Sequence, residues 1–158
     1  MWLFSFGLAI ILALGNIAFS RQPRTLKNIL GIFALYLLVI DIGLGGLIGA
    51  YMHTARADYT AQMIGWAPGS PFQYEVAMMN LGIGVLGVLC LFFRREFWLA
   101  AALNVLIVYW GCGFGHLREV TLKANVAPWN AGPGIMFGDF VLPALVLALV
   151  VVHARLKG

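Results

Sequence analysis

Two histidines and three carboxylates sit near the ends of this chain's apolar runs, where their types and spacing could do chemistry. His53 and Glu75 are 22 residues apart and His116 and Asp139 are 23 apart, while Glu119 follows His116 by three and shares its face on a continuing helix. Imidazole and carboxylate together suit zinc, iron or another divalent transition ion, and helical bundles build such sites from facing helices. His116, Glu75, Asp139 and His53 are therefore the candidate metal ligands, with no HExxH motif or cysteine pair to select one metal. The same groups, with Asn80, Glu119 and the deeper Asp41, would equally hold an organic or ionic ligand. A third reading leaves them as capped and paired residues near water. Ser70, Pro71 and Gln73 have the pattern of N-cap, N1 and N3, which sets Glu75 near the positive end of a helix dipole.

The elements that position these residues follow from the solvent. Hydrophobic residues make up 62% of the chain and charged ones 10%, against about 25% charged in soluble domains, and the mean hydropathy is +0.93. This is the composition of an all-α integral membrane protein. A crossing takes roughly 20 apolar residues. Five apolar runs are long enough, at about 2–20, 28–53, 71–93, 97–117 and 134–153, bounded by charge or by Pro and Gly. They form a single transmembrane domain over 1–158, a bundle of five helices. The first run lacks a basic leader and has a long apolar core, so it reads as a retained helix and not a signal peptide.

Charge sets the expected orientation. Arg21, Arg24, Lys27, Arg94, Arg95, Arg155 and Lys157 fall on one side of this topology and Arg56, Arg118 and Lys123 on the other, which places the N-terminus outside and the C-terminus in the cytoplasm. The net charge of +4 thus belongs to topology, and no nucleic acid is implied as a partner. Cys90 and Cys112 should differ in depth by roughly 15 Å at 1.5 Å per residue, too far for a disulfide, so disulfide exchange is not expected. Gly45 and Gly49, and Gly82, Gly84 and Gly87, would let helices approach closely. Trp66, Trp129 and Tyr59 suit the outer interface. Asp41, in mid-membrane, must face the interior, hydrogen-bonded to Asn104, Asn16 or a tyrosine, or else serve a proton or cation relay.

Two segments carry a resemblance. "IGWAPGSPFQYEVAMMNLGIGVLGVLC" and "GHLREVTLKANVAPWNAGPGIMFGDFVLP" look like the signature segments of a prokaryotic family of small multi-spanning membrane proteins of unknown function, over about residues 28–150. The resemblance implies a polytopic helical membrane protein and supplies no activity. Its pattern takes in Trp66, Pro68, Glu75, Asn80, His116, Asn125, Asn130 and Asp139, while His53 falls outside it. Independently, both polar stretches contain Ala-Pro, lead through a second proline into a helix with an early acid, and set His53 against His116 at an offset of 63; similar loop punctuation arising separately explains this more readily than a weak repeat of 28–93 and 97–153.

The expectation is an outward-facing polar pocket in the cell membrane, made by Glu75, Asn80, His116, Glu119 and Asp139 and covered by two Pro-rich loops, with Asp41 extending the polar path inward. It would bind or transport a small ligand or ion. The alternatives are a metalloenzyme acting on a lipid-soluble substrate, and an accessory subunit docking a larger membrane complex or a second copy of the chain.

Overall fold

The computed structural model describes residues 2–156, so Lys157, one of the basic residues counted above, lies outside the described range. Every regular element within it is helical: α1 (Trp2–Phe19), α2 (Leu26–Ala55), α3 (Ala57–Ile64), α4 (Phe72–Leu89), α5 (Glu96–Lys123) and α6 (Pro128–Arg155). All but α3 are long and apolar enough to cross a membrane. The protein is a multi-pass helical membrane protein, as composition alone required.

The element ends differ from the sequence expectation for local reasons. α5 runs to Lys123 where a stop near 117 was expected, because no helix breaker follows Gly115 and Lys123 pairs with Glu119 one turn back at 2.8 Å. At 28 residues α5 is longer than the roughly 20 that a crossing takes. The expected loop at 51–75 holds a helix of its own, α3. Gly65 ends it at φ +81, a left-handed backbone that favours glycine, with Trp66 N–H closing back to Ala61 O at 2.8 Å. Ser70 does not cap α4 through its side chain; the buried Gln73 instead donates from Nε2 to Ala57 O at 2.7 Å and ties α4 to the start of α3. α6 begins at Pro128, earlier than the expected 134, and breaks at Gly132, whose extended backbone (φ −66, ψ 148) separates the turn Pro128–Ala131 from the rest.

α2 is the hub of the bundle, packed against α1, α4 and α6, while α5 packs chiefly on α6 and touches α2 more lightly. Its crossing with α4 is backbone against backbone. A Cβ on Gly46 would stand 2.6 Å from Gly84 N, and one on Gly87 would stand 2.5 Å from Gly43 N. The close-approach glycines are thus Gly43, Gly46, Gly84 and Gly87, whereas Gly45 faces Trp2, Gly49 faces the Asn80 side chain and Gly82 faces open space. Leu38, Ile42, Val105, Leu142 and Val146 fill the core between α2, α5 and α6. The consecutive helices α4 and α5 touch sparsely.

Two stretches are wound wider than an α-helix, in π geometry: Leu37–Leu44 in α2 and Phe137–Val141 in α6. Each carries a buried acid, Asp41 and Asp139 respectively. Such turns recur at functional sites because the extra residue re-aims a side chain.

Candidate functional site

A polar network is built around Asn130, which is 0% exposed. Its Nδ2 donates to Asn125 O at 2.7 Å and reaches His116 O at 3.4 Å, so its Oδ1 must point at the His116 ring, 2.7 Å from Nδ1. An amide oxygen only accepts, and Nδ1 therefore carries the hydrogen. The other ring nitrogen, Nε2, is left facing Asp139 Oδ2 at 3.7 Å, longer than a hydrogen bond. Asn125 is itself anchored: its Nδ2 donates to Ile64 O at 2.9 Å, its Oδ1 accepts from Ala127 N–H, and its side chain packs on Gly65. Tyr59 meets Trp129 edge to face at 5.7 Å. These bonds join the two Pro-rich stretches into one cap.

Beneath that cap lies a partly open cavity of about 810 Å³, walled by α2, α4, α5, α6 and the cap. Most of the wall is apolar, from Ile48, Met52, Val76, Met79, Val108, Ile135, Trp66 and Trp129. His53 Nδ1, Tyr109 Oη and Asp139 Oδ2 are buried polar atoms without hydrogen-bond partners, and all three belong to wall residues. Unpartnered groups of this kind each cost about 1–3 kcal/mol in an apolar setting. A cavity of this size, apolar with a few convergent polar atoms, has the form of a small-molecule site.

Of the residues singled out from sequence, Asn80, His116, Glu119, Asp139 and His53 line this cavity. Glu119 is paired with Lys123, and Asn80 Nδ2 donates to its own helix at Val76 O, 2.9 Å away. Glu75 does not join them. The α4 residues on the wall are Val76, Met79 and Asn80, and Glu75, about 100° of helix away from Val76, is exposed. Asp41 is also off the wall: Ser5 Oγ donates to its Oδ1 at 2.6 Å, in place of the Asn104, Asn16 or tyrosine partner expected. Asn16 instead bonds Tyr36 Oη at 3.2 Å. The metal set of His116, Glu75, Asp139 and His53 is not assembled, and among the described residues no three His, Cys, Asp or Glu side chains converge to hold a metal ion. Both cysteines are free thiols, Cys90 buried and Cys112 on the cavity wall.

Sequence reasoning passed over Trp2, Tyr109 and Cys112 as wall residues and Asn130 as the group that orients His116. Part of the signal was there. Tyr109, Cys112, His116 and Glu119 recur at spacings of three and four, one stripe of α5. Trp2 gave none, since only the tertiary fold lays its indole on Gly45 and Gly138, with Tyr109 edge-on at 5.5 Å.

Compared with known proteins, the chain matches over residues 1–158 the family of unknown function DUF6790, and it belongs to that family. No curated protein and no solved structure matches it.

Proposed function

We propose that this DUF6790 protein binds a small organic molecule in a pocket that faces outward from the cell membrane. One observation carries the reading: three residues on the wall of a single, mostly apolar cavity, His53, Tyr109 and Asp139, each hold just behind its surface a buried polar atom without a hydrogen-bond partner, Nδ1, Oη and Oδ2 respectively. Hydroxyl or carbonyl groups on a ligand would satisfy them once side-chain rotation brings them to the cavity surface, and the apolar body would lie among Met52, Met79, Trp66 and Trp129. His116 is the central recognition residue, because its Nε2 is held toward both the cavity and Asp139 by the hydrogen bond from Nδ1 to Asn130. The bias of basic residues toward the opposite end of the bundle supports an outer-facing mouth, an external N-terminus and a cytoplasmic C-terminus.

Binding fits the cavity better than conduction. Its wall descends to Gly45 on α2, one helical turn short of Asp41, and Asp41 itself is held by Ser5 off the wall.

Native mass spectrometry of the detergent-purified protein tests the reading. The wild type should retain an organic adduct that His116→Ala and Asp139→Asn each weaken by about tenfold, as loss of roughly 1.4 kcal/mol of hydrogen bonding implies. Identical spectra for folded wild type and both variants would reject it.

A further inference from the structure

We propose that the ligand is a membrane-dissolved amphiphile, a hydroxyl- or carbonyl-bearing head on an apolar chain or ring, and that it enters sideways from the bilayer through a fissure between α4 and α5. The inference rests on the binding reading above and adds a route and a chemical class to it.

Neighbouring helices in a bundle usually seal against each other along their length, and α4 seals in this way against α2 through the glycine crossing. Against α5 it does not. The two helices are joined at their shared turn, where Trp98 Nε1 donates to Cys90 O at 2.9 Å, and they make few contacts elsewhere. The cavity wall nonetheless includes Val76 and Met79 from α4 and Val108, Cys112 and Gly115 from α5, so the cavity lies where those helices part. α5 packs on α6 through Gly113, where a Cβ would meet Phe140 and Asp139. At 100° per residue, Val108, Gly115 and Arg118 stand at the edge of the wall turned farthest from that contact, toward α4. A Cβ on Gly115 would meet nothing within 4 Å.

The chemistry along this opening is graded. Val76, Met79 and Val108 are apolar, like the hydrocarbon beside them, and the exposed Arg118 ends that apolar stretch, whereas the wall residues Tyr109 and Asp139, nearer the α5–α6 contact, each hold a buried polar atom without a hydrogen-bond partner. A wholly polar solute would gain nothing from the apolar edge. A pure hydrocarbon would leave the polar atoms without partners. An amphiphile already dissolved in the bilayer satisfies both ends.

Cys112, a native thiol on the wall, reports the route. The full-length protein, reconstituted in phosphatidylcholine vesicles, is treated with hexadecylmaleimide, which resides in the bilayer, or with a sulfonated maleimide confined to water, and the modified peptide is identified by mass. Hexadecylmaleimide is expected to modify Cys112 in the wild type, and Gly115→Trp, which fills open space at the edge of the fissure, to abolish this while leaving the sulfonated reagent able to react. Modification of Cys112 by the sulfonated reagent alone would overturn the lateral route and leave the binding reading standing; a fissure covered by a second copy of the chain gives this result. Loss of both reactions in Gly115→Trp, or of neither, would also overturn it, since no separate path between α4 and α5 would exist. Failure of both reagents on the wild type would remove the open cavity, and the binding reading with it.

Discussion

Asn130 contributes nothing to the cavity wall, yet it sets the chemistry of His116. Two carbonyl oxygens occupy its amide nitrogen and its oxygen takes the Nδ1 hydrogen, which leaves Nε2 as the nitrogen that can meet a ligand. Asn130→Asp keeps that acceptor and loses the amide donor, whereas Asn130→Leu loses both. Each should cost about 1–3 kcal/mol of stability, because buried partners are left unpaired; of the two, Asn130→Asp should keep more ligand adduct. Thermal melting and native mass spectrometry measure the two effects separately, and equal loss of adduct in both variants would remove the orienting role. Glu75 is the opposite case. Its exposed position off the wall predicts that Glu75→Gln leaves both melting and adduct retention unchanged. The sequence could not separate Glu75 from Asn80, because both fall in one apolar helix and an all-round apolar helix hides which face is buried.

Glycines show the same ambiguity for whole elements. Gly82 and Gly87 read alike in sequence, but a Cβ at Gly82 meets open space whereas one at Gly87 would stand 2.5 Å from the α2 backbone. Gly87→Ala should therefore destabilise the bundle by about 1–3 kcal/mol or more, and Gly82→Ala should be neutral or stabilise it by roughly 0.5–1 kcal/mol. Unfolding of each variant in mixed detergent micelles measures the contrast. Equal effects would mean that α2 and α4 do not cross as described. Gly65→Ala should also be costly, by roughly 1–2 kcal/mol for the left-handed backbone alone, with a further clash on Asn125. The two π-wound turns, which carry the buried Asp41 and Asp139, have no counterpart in the apolar pattern of their helices, so they could not be read in advance. The cap helix α3 was hidden for another reason. Eight residues of mixed polarity form a stable helix only when anchored, here by Thr60 Oγ1 donating to Met52 O and by Gln73 donating to Ala57 O.

For the whole molecule, the bundle and its proposed orientation make a further expectation. A fluorescent protein fused after Gly158 should fold and fluoresce in the cytoplasm, while an exported phosphatase at the same point should remain inactive; the reverse pattern would invert the topology and turn the cavity mouth inward. Solvent is the reason that so much at this scale was legible in one sequence. Hydrocarbon demands about 20 apolar residues per crossing and tolerates backbone only in helices, so five crossings, the helical class and the placement of His53, His116, Glu119 and Asp139 at one end of the bundle follow from composition and run length. The same solvent erases what a soluble helix would show. With lipid and core equally apolar, nothing in the pattern tells the inward face from the outward, and that choice belongs to tertiary packing. Packing alone brought Asp139 opposite His116, set Glu75 outside, gave Asp41 to Ser5 and parted α4 from α5 above a cavity. Those are contacts between residues far apart in the chain, decided by how glycine crossings and buried side chains fit together, which no single helix carries in its own sequence.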